Sequence, residues 1–439
     1  MMKKPFERKP REAYEQQLLD QAAKLLPASA RTPTMSLDSA MVVREGHGSK
    51  IVDMSGNEYI DYLLGSGPMF VGHAHPKVVA AVREAVERGT SFLLPNEASI
   101  LLAEEIVKAT PCAERVVYGN TGTDAVLFAI RLARAFRKRD KILKFEGAYH
   151  GQSDPVLMSN QWTKTPADYP SAVPNSLGIP AEVANDVLIA PWNDIETTSS
   201  LIEKHADELA CVIAEPMQRT IPPKGSFLAD VREITLAREI PLIFDEIVTG
   251  FRFGYGSAQA YYGVTPDLCA MGKSLSAGHP ISVVCGKADL MVFAEGVRRI
   301  TGDYVSLTGT FSGNPISCTA ALAVLEVLRE DGVYERLFAR GQRLRDAVQK
   351  AFDDVDIPVR VMGEPPAVEP WFTAEEVVDF RTSQSADAMM GYRFAQALLD
   401  RGILKGHEKF FVSTVHSDAD IDATIDAVND AAHELAQGH

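Results

Sequence analysis

Between residues 100 and 320, short apolar runs alternate with stretches of helical periodicity, and this alternation leaves the chain few folds to choose from. The runs fall at 115–118, 141–145, 187–190, 210–214, 241–245 and 268–271. Each is apolar along its length and ends in glycine or polar residues. Helical patterns lie between them, as at 124–137 and 227–238. Strands apolar on both faces, joined through helices, predict an α/β domain with a mainly parallel sheet covered on both sides. In such a sheet a ligand sits beyond the carboxyl ends of the strands.

The flanks read differently. Residues 11–26 carry apolar positions at helical spacing. The stretch 40–63 reads as two strands around the turn Ser55-Gly56-Asn57, and Pro76 opens a helix over 76–88. A long helix at 315–329 starts a new pattern, with further helices expected at 386–401 and 418–436. This predicts three parts. Residues 1–75 form an N-terminal segment that contributes to a small α+β domain. Residues 76–319 form the large domain, and 320–439 the C-terminal part of the small one. The segment 153–183 is rich in Ser, Pro, Thr and Asn, as expected of a binding lid or of a surface insertion.

Composition narrows the function classes. A net charge of -15 argues against nucleic acid as a partner. No apolar run reaches the roughly 20 residues of a membrane helix. The N-terminus is charged and lacks the apolar stretch of a signal peptide. The five cysteines are scattered without CxxC pairs, as in a reduced, cytoplasmic protein.

The polar residues at the strand ends form a pattern. Gly119-Asn120-Thr121-Gly122-Thr123-Asp124 joins a strand to a helix, and free amides with hydroxyls there make an anion site. Asp245-Glu246 ends an apolar strand, where a carboxylate needs a cationic or hydrogen-bonded partner. A protonated pyridine nitrogen is one such partner; a helix cap or an ion pair with Arg252 is another. Lys273 follows Met271-Gly272 at another strand end, where burial lowers an amine pKa and favours nucleophilic attack on a carbonyl. Tyr149 could stack on a flat cofactor, and Thr308-Gly309-Thr310 offers a second cluster of amides and hydroxyls. Taken singly, each has a structural reading: a glycine turn, an ion pair, a surface lysine, a core tyrosine. Their order along one sheet edge matches what pyridoxal 5'-phosphate (PLP) requires: an anion site, a ring stacker, an acid at the ring nitrogen and an amine.

The sequence resembles the class III, fold-type I PLP aminotransferases, on the glutamate-1-semialdehyde aminomutase-like branch, over residues 15–435. The motifs are GNEYIDY (56–62), GPMFVGHAHP (67–76), GNTGTDA (119–125), GAYHG (147–151), AEP (214–216), FDEIVTGFR (244–252), MGKSLSAG (271–278) and TGTFSGNP (308–315). The resemblance implies a large domain around a seven-stranded, mainly parallel sheet. It implies Lys273 as the Schiff-base lysine and proton shuttle, and Asp245 at the pyridine nitrogen. Ile247 and Tyr149 would lie on opposite faces of the ring, with Thr121, Gly122 and Thr123 at the phosphate. Glu215 and Gln218 would lie near the ring. Gly309 and Thr310 would reach the phosphate from the partner subunit of a homodimer. Arg31 would bind the substrate carboxylate, with Ser66 and Glu408 lining the substrate pocket.

Departures from the branch bear on the reaction. Ser66 stands where the aminomutases usually have tryptophan. His279 and Ser282 replace apolar and glycine residues, and Asp124 replaces a glutamate. The region 405–410 is shorter, and 363–370 does not fit the usual glycine-rich strand. These changes favour transamination of another amine, such as a β-amino acid, an amino sugar or a polyketide-type amine, with a keto or aldehyde acceptor. The 2,1-aminomutase reaction is the alternative, with racemisation or decarboxylation behind it. Three rivals from other classes are weaker. His73 and His75 form a lone HxH with no ligand cluster, so no metal is expected. A serine hydrolase would need a GxSxG turn, which is absent. A non-catalytic protein on this fold would be expected to lose Lys273 or Asp245.

Overall fold

The structure, a computed structural model, describes residues 6–27, 40–160 and 167–438. The chain divides into two compact units. The larger holds Lys77–Glu330 and Val378–Thr382; the smaller holds Met1–Pro76, Asp331–Val377 and Ser383–His439. In chain order the strands are β1 (Val43–His47), β2 (Lys50–Asp53), β3 (Glu58–Asp61), β4 (Arg115–Gly119), β5 (Lys141–Phe145), β6 (Val187–Ala190), β7 (Leu209–Ala214), β8 (Leu242–Glu246), β9 (Leu268–Met271), β10 (Ser282–Gly286), β11 (Arg360–Met362), β12 (Ala367–Trp371), β13 (Ile403–Leu404) and β14 (Phe410–Phe411).

The larger unit is built on a seven-stranded sheet in the order β4-β10-β9-β8-β7-β5-β6. The strands from β9 to β6 are parallel. β6, β7, β8 and β9 are buried along their whole length, as apolar runs covered on both faces should be. The expected α/β architecture with a mainly parallel sheet is therefore present. The sequence reading lacked β10, which runs antiparallel between β9 and β4. Only residues 272–281 separate β9 from β10. That is too short for the dozen or more residues of a parallel crossover, so the strand must turn back. The helix Gly122–Arg137 buries seven residues, from Ala125 to Ala133, against the sheet. The helix Pro315–Leu328 also belongs to this unit, packed on Glu97–Ala109. The boundary expected at 319 falls inside it, while the unit extends to Glu330.

Strand order locates the site. From β5 the chain moves outward to β6 at the sheet edge, then returns to β7 on the other side of β5. The carboxyl ends of β5 and β7 thus flank a topological switch point, where such sheets leave a crevice.

The smaller unit has a four-stranded sheet, β1-β2-β3-β13, and a three-stranded one, β11-β12-β14. Where the sequence suggested two strands over 40–63 there are three, because a glycine turn at Gly48 (φ +54) separates β1 from β2. The Ser55-Gly56-Asn57 turn joins β2 to β3, with Asn57 N donating to Asp53 Oδ1 at 2.8 Å. The unusual 363–370 stretch contains most of β12. Among the described residues no helix is long and apolar enough to cross a membrane.

Candidate active site

Four turns meet at the carboxyl edge of the large sheet. The first follows β4. Thr121 caps the helix Gly122–Arg137, and Asp124 returns the bond in a capping box. Asp124 Oδ2 accepts the amides of Asn120 and Thr121, both at 3.0 Å. Those amides are therefore spent. The Gly122 and Thr123 amides, at the first two helical positions, have no intrahelical acceptor and are the donors left for an anion.

The second turn, Glu146–Gln152, follows β5. Its Tyr149 amide donates to Glu215 Oε1 at 2.7 Å, which bridges the switch point to the end of β7. Tyr149 is 40% exposed, and its hydroxyl accepts from Gln152 Nε2 at 2.6 Å. Gly151 (φ +97) lies so close to Thr123 that a Cβ would come within 2.7 Å of Thr123 Oγ1. Gln152 N donates to the same hydroxyl at 3.2 Å. The second turn is thus seated on the first.

The third turn ends β8. Asp245 Oδ2 and His150 Nδ1 lie 2.8 Å apart, both buried. Asp245 Oδ1 accepts the Ile247 amide at 3.1 Å. The neighbouring Glu246 has a different environment. It accepts from Thr249 Oγ1, the Ala258 and Gln259 amides and Gln259 Nε2. Burial pushes its carboxyl up to about 7. Glu246 is thus tied into its own unit's interior, while Asp245 is held by His150.

The fourth turn carries Lys273 immediately after β9. Lys273 is half-buried and sits at φ +37, a left-handed conformation that is strained for any residue but glycine. Arg252 Nη2 donates to Ser274 Oγ at 3.2 Å, and Leu275 N to Gly272 O at 3.0 Å. Ile247 links this turn to the first: a Cβ on Gly122 would lie 3.1 Å from Ile247 Cγ2, and one on Gly272 would lie 3.3 Å from its Cδ1. Both glycines leave room that any side chain would fill.

The structure therefore brings together Thr121, Gly122, Thr123, Tyr149, Glu215, Asp245, Ile247 and Lys273. Gln218 follows β7 and donates from Nε2 to Glu146 O at 2.7 Å. Its buried Oε1 lacks a hydrogen-bond partner among the described residues, as an acceptor awaiting a ligand donor would. Gly309 lies near Asn120 of its own chain, where a Cβ would be 3.4 Å from Asn120 Nδ2, and Thr310 is exposed. Ser66 (φ +73) and Glu408 belong to the smaller unit. Arg31 lies outside the described residues. His73 Nε2 and Asp61 Oδ2 lie 2.7 Å apart, and no cluster of three metal-ligating side chains occurs among the described residues.

Sequence reasoning missed His150. A histidine beside an exposed tyrosine reads as core, and only its distance to Asp245, 95 residues on, reveals the pair.

A seven-stranded, mainly parallel sheet with a glycine turn at a helix start, a buried acid and a lysine along its carboxyl edge is the architecture of a fold-type I PLP transferase. A family model described as aminotransferase class-III matches residues 33–432, and the chain belongs to that family. It is 38% identical over 413 residues to a glutamate-1-semialdehyde 2,1-aminomutase of Methanosphaera stadtmanae, covering 92% of this chain and 95% of the relative. Its fold matches an omega-transaminase from Sphaerobacter thermophilus with a TM-score of 0.90 at 34% identity, covering 98% and 99% of the two chains. A transaminase solved with PLP bound matches with a TM-score of 0.88 at 27% identity, over the same shares.

Proposed function

We propose that this class III aminotransferase moves an amino group between an amino compound, such as a β-amino acid, and a keto or aldehyde acceptor, in two half-reactions on one site. The observation that carries this reading is the His150–Asp245 pair at the end of β8, on the same edge as Lys273 and the Gly122 turn. Pyridoxal 5'-phosphate is the cofactor; it supplies an aldehyde carbon that takes an amine and a protonated ring that draws electrons from it.

The residues divide the work. Lys273 Nζ would hold the cofactor. Its amine would also be the acid–base group that takes up and returns the proton of the donor carbon. Asp245 keeps the ring nitrogen protonated, and His150 fixes the orientation of its carboxylate. The Gly122 and Thr123 amides and the Thr121 and Thr123 hydroxyls take the phosphate. Tyr149 and Ile247 cover opposite faces of the ring, with Glu215 and Gln218 at its polar rim. On the substrate side, Arg31 offers a fork for a carboxylate, and Ser66 and Glu408 line the pocket. The protein works as a cytoplasmic homodimer, with Gly309 and Thr310 reaching the partner's phosphate. The exposed run Phe92, Leu93 and Leu94 (50%, 79% and 72%) supports such an association.

Identity to the aminomutases over 92% of the chain favours a second reading, the intramolecular 2,1-transfer. One experiment separates the two. The visible band of the holoenzyme is followed while single amines and then keto acids are added. A band that one amine bleaches and a keto acid restores supports transamination. Turnover of glutamate 1-semialdehyde alone, with no second partner, would replace it with the aminomutase.

A further inference from the structure

The turn Glu146–Gln152 presents Tyr149 and His150, and its seating is more elaborate than a loop needs. Lys144 Nζ, buried, donates to Ala148 O at 3.0 Å and Met158 O at 2.5 Å. Gly147 N donates to Ser159 O at 2.7 Å, and Glu146 N to Ala190 O at 2.9 Å. The Glu146 carboxylate has partners from much later in the chain. Arg381 Nε donates to Oε2 at 2.7 Å and Nη2 to Oε1 at 3.2 Å, a two-pronged fork. Arg381 Nη2 also donates to Ala167 O at 2.7 Å. The guanidinium lies 4.1 Å from the centre of the Tyr169 ring, and Tyr169 Oη donates to Glu146 Oε2 at 2.6 Å. Beside this, Phe380 occupies the space that a side chain at Gly147 (φ +82) would need: a Cβ there would be 2.4 Å from Phe380 Cδ2.

The segment that delivers Phe380 and Arg381 is a compact device. Thr382 Oγ1 accepts the amides of Val378 and Asp379, and Asp379 Oδ1 accepts the Thr382 amide. Asn193 Nδ2 donates to Val378 O at 2.8 Å. Although its neighbours on both sides in the chain belong to the smaller unit, Val378–Thr382 groups with the larger one.

We propose that Arg381 is a positioning residue for the cofactor platform: its fork on Glu146, with Phe380 set against Gly147, fixes the turn that holds Tyr149 and His150 in place, and its contacts with Ala167 and Tyr169 fasten the Ser/Pro-rich segment to the same turn. This rests on the PLP reading of Tyr149 and His150. On it, the described part of that segment is a fixed wall at Glu146 and not a lid. An arginine suits the task because one planar group makes the fork and the stack together, which a lysine cannot do.

The test compares Arg381→Ala, Arg381→Lys and Glu146→Gln with wild type, each as PLP-loaded enzyme. Three quantities are read: the cofactor dissociation rate, the circular dichroism of the bound cofactor, and kcat and KM separately. Removing the fork is expected to speed dissociation about 10-fold or more and change the dichroism of the visible band. It should also lower kcat by about 10- to 100-fold, as displacement of a reacting group does, with less effect on KM. Arg381→Lys should recover only part of the loss, and the Glu146→Gln/Arg381→Ala double variant should be little worse than either single one. Wild-type dissociation and dichroism in Arg381→Ala, with only the melting temperature lowered, would reduce Arg381 to a structural ion pair. If Arg381→Ala does not fold, Arg381→Lys and Phe380→Ala decide on the same readouts: cofactor dissociation at the wild-type rate in both overturns the proposal. Failure of the underlying reading looks different, because wild-type protein would then show no visible band with added PLP.

Discussion

Two sets of polar groups, one in each unit, are used in opposite ways. On the carboxyl edge of the large sheet, polar groups are held in place but not exhausted. Asp245 is braced by His150, the turn at Thr121 has given up two of its amides to Asp124, and Gln218 Oε1 is left without a partner. In the smaller unit the carboxylates of buried Asp53 and half-buried Asp420 are closed by neighbouring donors. Asp53 takes the Asn57 amide and side chain and the Tyr59 hydroxyl. Asp420 takes Ser49, Ser417 N and Ser417 Oγ. Spare capacity at the end of a strand marks chemistry, whereas closed capacity marks architecture. The following outcomes test that contrast.

The largest effect belongs to Lys273. Lys273→Ala should lower turnover at least about 10^3-fold, since both the covalent tether and the proton carrier are lost. Full multiple-turnover activity in this variant, measured with the amine that bleaches wild type, would sink the assignment. Asp245→Asn comes next, at about 10^2- to 10^3-fold in kcat, because the carboxylate assigned to keep the ring nitrogen protonated is removed. His150→Phe should cost less, about 10-fold, since it only orients Asp245. A loss in His150→Phe equal to that in Asp245→Asn would give the histidine a direct role.

A pH series tests the large unit from its interior. Glu246 titrates near 7 in the fold, against 4.5 ordinarily. Between those values the folded state holds a proton that the unfolded state has released, so stability falls as pH rises from 4.5 to 7. Burial pulls Lys144 down to about 7 from 10.5, against the raising pull of Glu215 and Glu146. There the unfolded state holds the extra proton, so stability rises from pH 7 to 10.5. Taken alone, Glu246 contributes a fall on the order of 3 kcal/mol on the acid side, and Lys144 a rise on the alkaline side. In the smaller unit burial pulls His416 down to about 4 from 6.5, which makes stability rise with pH between those values. Because the His416 rise offsets the Glu246 fall in a denaturant melt of the whole chain, the readout is wild-type stability minus variant stability across pH. That difference should fall from pH 4.5 to 7 for Glu246→Gln and rise from pH 7 to 10.5 for Lys144→Met. A profile unchanged in both variants would show that neither group titrates in the fold as assigned.

What the sequence revealed follows the same division. The parallel strands were legible because burial on both faces forces continuous apolar runs, and Asp245 and Lys273 stood out as charges ending such runs. β10 did not, since an antiparallel return carries no mark of direction and follows a turn that resembles a loop. His150 was hidden because its partner is 95 residues away. Arg381 was hidden more deeply, in a region whose neighbours on both sides belong to the smaller unit. In that unit three strands replaced two because a one-glycine hairpin at Gly48 is too short to register against hydrophobic periodicity.

The smallest effect tests the closed networks of the smaller unit. Tyr62 Oη lies 2.9 Å from Thr424 Oγ1, both buried. Thr424 Oγ1 donates its own proton to Asp420 O at 2.7 Å, so Tyr62 must be the donor in the pair. The two partners are therefore unequal. Tyr62→Phe removes a donor and leaves Thr424 with its own donation intact, so it should cost about 1 kcal/mol. Thr424→Val strands the buried Tyr62 hydroxyl, whereas the Asp420 carbonyl keeps the Thr424 amide within the helix Asp418–Gln437. This change should cost about 1–3 kcal/mol. Neither change should alter kcat per folded molecule. Equal costs for the two variants would reverse the assigned direction of the bond. A fall in kcat of the kind expected for His150→Phe would show that the smaller unit's polar groups serve chemistry after all, and the contrast between the two units would fail.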